Sequence, residues 1–346
     1  MDFRNQNYRL ASGVEYIGET GDEVHLRVSM PTDEDGHLGR QCPSCSQIWR
    51  MHAGDYQALP DDLRLWCVYC GYEDDHSEFI TKQQLDRAMR AVGDVGVQLM
   101  QDALDRAFRP LARSSRSSFV SIEYRSKPFY PDPLPGINEE RLIRERNCNT
   151  WSVRYAIFGD HRYCPVCGPL PPDVVAFDAL AAEITRLDAL ATLPASELTR
   201  LHEQGVFQRL WVDTIENLVG IFETLARPVF RTHVGNADQV LRSKGNVFQR
   251  LEDAADIYVA HGLGDFRAAV DPTVWQRLRR TWATRHVFTH NDGIVDQRYL
   301  DAVPGSPLKV GQRLTVSEAF CREAIEDTRR LCEELLALGR PDRLHA

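Results

Sequence analysis

Cys42-Pro-Ser-Cys45 and, after 21 intervening residues, Cys67-Val-Tyr-Cys70-Gly71 are the stretches that decide the fold of the first half of the chain. Each places two cysteines three positions apart, so one tight turn offers two thiolates to a metal ion. Zinc prefers four such ligands in a tetrahedron, and Gly71 suits the close approach of backbone amides to sulfur. With no open coordination position, the site predicted at Cys42, Cys45, Cys67 and Cys70 is structural and stabilises a lobe that has little core.

A second, less regular cysteine motif lies further along the chain. "YCPVCG" (163–168) repeats the pair and its glycine, but only Cys148 offers a third thiolate, and Trp151 stands where a second upstream cysteine is expected. His161 is the nearest alternative ligand, so the sequence predicts a zinc site formed by Cys148, His161, Cys164 and Cys167. The competing interpretation is a degenerate module that keeps the fold and binds no metal, with His161 on the surface.

Composition and charge are those of an ordinary globular protein. Hydrophobic residues make up 43% and charged residues 26% of the 346 residues, enough chain for two or three domains. No run of 18 apolar residues is present, and the N-terminal stretch lacks the apolar segment of a signal peptide. We therefore expect a cytoplasmic protein with no membrane partner and no disulfide framework. The net charge of −9 argues against a nucleic-acid coat, but not against a local basic patch.

The pattern along the first half predicts strands, one long helix and more strands. Alternating polar and apolar residues predict short strands before Cys42, and apolar residues at three- and four-residue steps predict a helix over 83–112, with a kink or an end at Gly93 or Gly96. Strands are predicted at "FVSIEY" (119–124) and "WSVRYAIFG" (151–159), and no repeat of fixed period is apparent.

After the linker "PLPPD" (169–173) the chain is predicted to be mostly helical. The helices expected are roughly 173–190, 195–231, 237–261, 271–291 and 315–338. Cys321 and Cys332 lie on the apolar face of the last one and are interpreted as core thiols. The domains expected are 1–82 with the first zinc site, 83–118 as connecting helix and linker, 119–170 as a second module, and 171–346 as a helical domain.

The stretch "RHVFTHNDG" (285–293) places an arginine and two imidazoles within six residues. His286 and His290 share one helix face, whereas Arg285 lies about 140° around the helix from His290, which favours a site shared between two copies. Imidazole titrates near ~6.5 and can move protons at neutral pH, and guanidinium binds phosphate through its planar fork. This set is suited to cleaving RNA without a metal, leaving 2′,3′-cyclic phosphate and 5′-hydroxyl ends. Taken singly, the three have structural explanations: a solvated arginine, a half-buried histidine and a helix cap.

These residues resemble the R-x4-H motif of the HEPN superfamily (higher eukaryotes and prokaryotes nucleotide-binding), with Arg285, His286 and His290 followed by Asn291. The resemblance covers about 195–338, including the extended segment before the final helix. It implies an all-α bundle, metal-independent RNase activity, and two motifs that meet across a homodimer. The family more often has Asn directly after the arginine, and some members are inactive. The front half is similar to zinc-ribbon regions of bacterial proteins through "DEDGHLGRQCPSC" and "CPVCG".

Other residues are expected to support this site. Glu216 is predicted to contact Arg285 from a neighbouring helix. Arg277, Arg279 and Arg280 are candidates for binding RNA phosphates, with a solvated helix face as the equal alternative. Trp275 and Trp282 are interpreted as core or dimer-interface residues.

The fold class expected is therefore α+β multidomain, with an N-terminal β-rich zinc-ribbon region, a long helix and a C-terminal all-α HEPN-like bundle. Two functions are compatible with it. The first is a homodimeric, metal-independent endoribonuclease that resembles toxins or anti-phage defence effectors, with ribbons that sense or recruit RNA and an antitoxin or defence-system partner. The second is an inactive HEPN dimerisation or binding module whose zinc ribbons contact nucleic acid or protein. The intact motif favours the enzyme, and the acidic charge favours the module.

Overall fold

The computed structural model describes residues 8–21, 23–114, 123–138, 141–142 and 144–338. The chain divides into two compact units, Met1–Pro169 and Leu170–Ala346. The first is mixed α+β and the second is helical in its described part, which confirms the predicted α+β class with a strand-bearing front half and a helical back half. Most of the strand predicted at 119–124 lies outside the described residues. The predicted boundaries at 82 and 118 fall within the first unit.

The first unit has ten strands, two α-helices and a 3-10 helix at His76–Phe79 among its described residues. The strands are Val14–Thr20 (β1), Glu23–Val28 (β2), His37–Gln41 (β3), Ile48–His52 (β4), Leu65–Trp66 (β5), Glu73–Asp74 (β6), Arg144–Cys148 (β7), Val153–Ile157 (β8), Tyr163–Cys164 (β9) and Gly168–Pro169 (β10). The helices are Ala53–Gln57 (α1) and Lys82–Ser114 (α2). The largest sheet has the antiparallel order β3-β4-β8-β7, and β1–β2, β5–β6 and β9–β10 form separate hairpins.

The core of this unit lies on one face of the four-stranded sheet. Trp49 and Met51 of β4, and Tyr155 and Ile157 of β8, are buried. Met51 is the register partner of Tyr155, so these alternate positions share a face. The Trp49 ring packs edge-on against Phe79, with centroids 5.1 Å apart. Because β4 and β8 are antiparallel, the turns β3–β4 and β7–β8, which carry cysteines, lie at opposite ends of this sheet.

The turns β3–β4 and β7–β8 are structurally equivalent. Ser46 directly follows Cys45 with φ 61°, and Ser152 directly follows Trp151 with φ 52°. A positive φ is uncommon for a residue other than glycine, so its recurrence at the same place in both turns marks them as copies of one motif. Trp151 therefore occupies the structural position of Cys45.

The two later cysteine turns, β5–β6 and β9–β10, interlock through the aromatic residues that precede them. The rings of Trp66 and Tyr163 are stacked, with centroids 6.0 Å apart and planes 8° from parallel. A Cβ on Gly71 would lie 2.3 Å from Cζ of Tyr163, and a Cβ on Gly168 would lie 3.1 Å from Cε2 of Trp66. Each turn's glycine therefore packs against the aromatic ring of the other turn.

The first unit thus contains two copies of one cysteine motif, although no repeat of fixed period is present in the sequence. The repeat is irregular in sequence because 21 residues separate Cys45 from Cys67, whereas 12 separate Trp151 from Cys164. The longer connection in the first copy contains α1. The replacement of one cysteine by tryptophan further obscures the relationship.

Helix α2 is continuous over 33 residues and passes through Gly93 and Gly96, where a kink or an end was predicted. Ala91 and Val95 are buried on one side of it. Along another side, eight large apolar side chains are each at least 40% exposed. They are Leu85, Met89, Val92, Val97, Met100, Leu104, Phe108 and Leu111, and are termed the α2 stripe.

The second unit has nine α-helices among its described residues. They are Pro172–Ala191 (α3), Ala195–Glu203 (α4), Val206–His233 (α5), Ala237–Arg242 (α6), Leu251–Ala260 (α7), Phe266–Ala269 (α8), Pro272–Asn291 (α9), Gln297–Ala302 (α10) and Glu318–Leu338 (α11). The helix predicted at 195–231 is divided at Gly205, whose φ is 71°. The helix predicted at 237–261 is divided by a loop that contains a short 3-10 turn at Val247–Gln249.

Helix α5 packs against α3, α9 and α11 and forms the centre of this unit. Its buried side chains recur at three- and four-residue steps, as an amphipathic helix requires. The Trp282 ring of α9 packs edge-on against Phe222, with centroids 5.6 Å apart. Cys321 and Cys332 of α11 are fully buried in the same core, which confirms their interpretation as core thiols.

The segment after α9 folds back onto the end of that helix. The N–H of Val295 donates to the carbonyl of Gln312, and the N–H of Leu314 donates to the carbonyl of Gly293. Val287, Val295, Tyr299 and Leu314 form a small buried cluster. This cluster fixes α10 beside the last turns of α9, where Arg285, His286 and His290 lie.

Within the described residues, no helix has both the length and the hydropathy that a bilayer crossing requires.

Candidate active site and metal centres

Four cysteine side chains from two turns converge in the first unit. Cys42 Sγ lies 3.6 Å from Cys70 Sγ, and Cys45 Sγ lies 3.7 Å from Cys67 Sγ. Thiolates around a tetrahedral zinc ion, each about 2.3 Å from it, lie about 3.8 Å from one another. Burial raises the pKa of the Cys42 and Cys67 thiols, and a bound cation would offset this by stabilising the thiolates. The four predicted ligands therefore form a cluster that can hold a metal ion.

Three cysteine side chains converge in the second copy of the motif. Cys148 Sγ lies 3.4 Å from Cys167 Sγ, and the sulfurs of Cys148, Cys164 and Cys167 all lie within 4.8 Å of one another. Within the described residues, no histidine or carboxylate joins this group. His161 is buried, and its ring packs against Tyr155 with centroids 6.3 Å apart. The predicted ligation by three cysteines matches the geometry, but the predicted fourth ligand, His161, is not brought into the cluster.

The second unit contains a cleft of about 600 Å³, which is in the size range of small-molecule sites. Its walls come from the start of α7 and the residues before it, from α9, and from α10. It is lined by Asn246, Gln249, Arg250, Leu251, Glu252, Asp253, Arg279, Trp282, Ala283, Arg285, His286, His290, Arg298, Tyr299 and Ala302. It is termed the arginine cleft.

Arg285, His286 and His290 all line the arginine cleft. The rings of His286 and His290 lie 4.7 Å apart between centroids. Arg285 donates from Nη2 to Oε1 of Gln249 at 3.4 Å, and its buried Nε has no hydrogen-bond partner among the described residues. The angle of 140° between Arg285 and His290 on the helix led to the expectation of a site shared between two copies. In the structure one cleft in a single chain contacts both, because α7 and α10 wall it on different sides of α9.

Positive charge predominates in this cleft, although the whole chain has a net charge of −9. Four arginines line it, which are Arg250, Arg279, Arg285 and Arg298, against the two carboxylates of Glu252 and Asp253. Arg250 is paired with Asp253, and Arg279 Nε lies 3.3 Å from Glu252 Oε1. Arg285 and Arg298 form no ion pair with a carboxylate of the described residues. Two guanidinium groups thus remain for an anionic ligand.

The surroundings of His286 lower the pKa of its imidazole. Burial lowers its pKa below the ordinary 6.5, and the charges of Arg298, His290 and Arg285 lower it further, whereas Asp296 opposes them. Arg298 Nη1 lies 3.3 Å from His286 Nε2. Since guanidinium can only donate, this ring nitrogen accepts. The lone pair of the neutral ring is thus on Nε2, and a proton from a ligand can be taken up there only when the Arg298 contact is released.

Two other residues predicted at this site have roles outside the cleft. Asn291 Nδ2 donates to Asp296 Oδ2 at 2.8 Å, and Asp296 in turn caps α10 by accepting from the Tyr299 N–H at 2.8 Å. Asn291 therefore positions the helix that carries Arg298. Glu216 accepts from the Thr289 hydroxyl at 2.8 Å, so the predicted contact with Arg285, which instead donates to Gln249, is wrong.

The three arginines predicted to bind RNA lie on different sides of α9. Arg277 forms a bidentate ion pair with the buried Asp327 of α11, at 2.7 Å for both contacts. The guanidinium of Arg280 lies 4.6 Å from the ring centroid of Phe320. Only Arg279 lines the arginine cleft. The three therefore do not form one basic surface.

Several cleft residues were not identified from the sequence, notably Gln249, Arg250 and Arg298. They belong to segments far from 285–293 along the chain and reach the cleft only through tertiary packing. One local feature of the sequence could have indicated the helix that carries Arg298: Asp296, two residues before it, is a typical helix N-cap.

Compared with known proteins, the sequence matches no family model, and neither a curated protein nor a solved structure matches it.

Proposed function

We propose that the chain is a metal-independent endoribonuclease of HEPN type, with its active site in the arginine cleft. One observation carries the proposal: Arg285, His286 and His290 line the same cleft, together with Arg298. An anionic ligand with a weakly acidic hydroxyl next to its phosphate suits this set of side chains. RNA provides both groups at every linkage.

In the proposed reaction Arg298 moves from Nε2 of His286 to the phosphate, Nε2 takes the proton of a ribose 2′-hydroxyl, and the 2′-oxygen forms a bond to the adjacent phosphorus. The bond from phosphorus to the 5′-oxygen breaks, and His290 in its protonated form gives a proton to that oxygen. Arg285 and Arg298 hold the non-bridging oxygens, where negative charge increases in the transition state. The products are a 2′,3′-cyclic phosphate and a 5′-hydroxyl. DNA, which lacks the 2′-hydroxyl, is not a substrate.

The burial of the two histidines supports this division of roles. His286 is half-buried and has a lowered pKa, which favours the neutral form that a general base needs, whereas His290 is exposed, so solvent can reprotonate it between turnovers. His286 stands where the HEPN motif more often has Asn, so the use of this position as the base is a feature of this chain's own residues.

A second candidate function is a binding module without catalysis, whose zinc ribbons contact nucleic acid or protein. The observation that favours it is the pairing of Glu252 with Arg279 and of Asp253 with Arg250. These carboxylates neutralise half of the arginines in the cleft and weaken its attraction for a polyanion.

We also propose that both cysteine clusters hold zinc and that the zinc of the first cluster is structural. In the first cluster the four sulfurs have the spacing of a closed tetrahedral site. A site of this kind can contribute about 10–16 kcal/mol of apparent folding free energy, which suits a lobe built of short strands. Metal analysis of the purified protein tests occupancy, and Cys42→Ser should remove one zinc and unfold the first unit.

The proposed homodimer is placed at the α2 stripe. Trp275 and Trp282 of α9, interpreted from the sequence as core or dimer-interface residues, pack with the core of their own unit. The α2 stripe extends over 27 residues, or about 40 Å of helix, and its eight side chains are exposed. A stable interface buries about 800 Å² per partner, and pairing two such stripes would cover an area of that order. Catalysis does not require the dimer, since one chain forms the cleft.

The proposed biological role, a toxin or anti-phage effector with an antitoxin or defence-system partner, rests on the HEPN resemblance. In that role the ribbons of the first unit would sense a signal or recruit RNA.

The experiment that tests the enzyme is RNA cleavage without added divalent metal, in wild type and in matched variants. Arg285→Ala should reduce the rate by about 10²–10³-fold, and His290→Ala by about 10²–10⁴-fold. Arg280→Ala, on the same helix but outside the cleft, and His25→Ala, on an exposed strand, should leave it unchanged. RNA binding without cleavage by wild type would favour the binding module instead.

A further inference from the structure

The second cysteine cluster offers three ligands to a metal ion, one fewer than the first cluster. In the first cluster, the turn β3–β4 supplies two sulfurs, from Cys42 and Cys45. The equivalent turn β7–β8 supplies only Cys148, because Trp151 takes the position of Cys45. An indole offers one N–H donor and no lone pair for a metal ion. Comparison of the two turns therefore identifies Trp151 as the position that lacks a ligand.

No other described side chain of the chain replaces that ligand. Among the described histidine, cysteine, aspartate and glutamate side chains, only Cys148, Cys164 and Cys167 place their ligand atoms within 4.8 Å of one another here. The buried ring of His161 packs against Tyr155. Cys167 is exposed and Trp151 is 42% exposed, so the site borders solvent.

We propose that a zinc ion at this cluster is bound by three thiolates and takes its fourth ligand from solution. That ligand is water, which a small thiol displaces, because a thiolate-rich site favours soft sulfur ligands. Three protein ligands and one exchangeable position are typical of zinc sites that bind an external molecule, whereas closed four-cysteine sites are inert supports. This rests on the proposed zinc occupancy. The first cluster, with four thiolates and no exchangeable position, is the comparison within the same chain.

Cobalt substitution under anaerobic conditions tests this, because thiolate-to-cobalt charge-transfer absorbance increases with the number of bound thiolates. Loaded wild type should bind one Co²⁺ per cluster. Adding 2-mercaptoethanol should raise the absorbance by about one seventh, as four plus three thiolates become eight. Trp151→Cys should show the higher absorbance without added thiol and should not respond to it. Trp151→Phe, the matched control, should behave as wild type does.

Three outcomes would overturn the inference. The first is a wild-type spectrum that does not respond to 2-mercaptoethanol. The second is a spectrum that changes in His161→Ala, which would identify His161 as the fourth ligand. The third is binding of Co²⁺ at the first cluster alone, which would leave the proposal of zinc there intact. Absence of Co²⁺ from both clusters would instead contradict the zinc proposal itself.

Discussion

Arg298 Nη1 lies 3.3 Å from His286 Nε2, so a guanidinium on α10 contacts an imidazole on α9. The contact depends on the folded-back segment after α9, which fixes α10 through Tyr299 and Leu314. It places a permanent positive charge beside the proposed general base and next to the space for a phosphate. Besides burial, the pKa of His286 is therefore lowered by a residue that lies 12 positions further along the chain.

This contact predicts the pH dependence of RNA cleavage. Burial and the charge of Arg298 lower the pKa of His286 below 6.5, so the rate should fall on the acid side only below that pH. Arg298→Ala removes one cause of the lowering and should move this acid limb to higher pH, besides reducing the rate. The measurement is kcat/KM against pH, with Arg280→Ala as control. An acid limb at the same pH in Arg298→Ala and wild type would contradict the assignment of His286 as base.

The reciprocal packing of the cysteine turns predicts a specific glycine requirement. In Gly71→Ala the new Cβ would lie 2.3 Å from Tyr163, and the backbone would keep φ of 75°. We expect a loss of about 1–3 kcal/mol in the free energy of unfolding of the first unit. Gly96→Ala is the matched control: its Cβ meets nothing within 4 Å, and alanine should stabilise the helix by about 1 kcal/mol. Denaturant unfolding of the zinc-loaded protein measures both, and equal stability of the two variants would refute the packing argument.

Arg277 and Arg280 lie on the same helix but differ in role: Arg277 pairs with a buried carboxylate, whereas Arg280 is exposed. Arg277→Ala leaves the carboxylate of Asp327, which is 2% exposed, without its bidentate partner. We expect a loss of about 3 kcal/mol in the free energy of unfolding of the second unit. Arg280→Ala removes the same charge from an exposed position and should change stability little. Thermal unfolding and RNA binding distinguish the two. A stable Arg277→Ala protein with weakened RNA binding would restore the original RNA-binding prediction.

The α2 stripe predicts the oligomeric state. Wild type should be a dimer at micromolar concentration, because eight exposed apolar side chains lie along one helix. Met89→Glu and Met100→Glu together place charges at positions 61% and 67% exposed in the single chain, and should yield a monomer that keeps its fold. His25→Glu, at an exposed position of β2, controls for added charge. A monomeric wild type or a dimeric double variant in light scattering would contradict the assignment of the α2 stripe as the dimer interface.

The cysteine ligands were predictable because their geometry is local. Two thiols three residues apart in one turn must point toward a common centre, whatever the surrounding fold. The duplication was not predictable, because the connections differ in length and Trp151 replaces a ligand. His161 was chosen for its proximity in sequence, whereas its position is set by packing against Tyr155.

The candidate site was only partly predictable for a similar reason. Arg285, His286 and His290 are neighbours on one helix, so periodicity could group them. The walls formed by α7 and α10, which supply Gln249 and Arg298, depend on tertiary packing. On an isolated helix, Arg285 and His290 lie about 140° apart, so the sequence alone favoured a site completed by a second chain. The exposure of the α2 stripe could not be predicted from the sequence either, since helical periodicity does not show whether an apolar face is covered.

The most direct test of the central claim compares two oligonucleotides of one sequence, one all-ribose and one with 2′-deoxyribose throughout. Wild type incubated without added divalent metal should cleave the first, leaving 2′,3′-cyclic phosphate and 5′-hydroxyl ends, and should leave the second intact. Cleavage of both, or 5′-phosphate ends on the RNA products, would show that the arginine cleft does not act through the ribose 2′-hydroxyl.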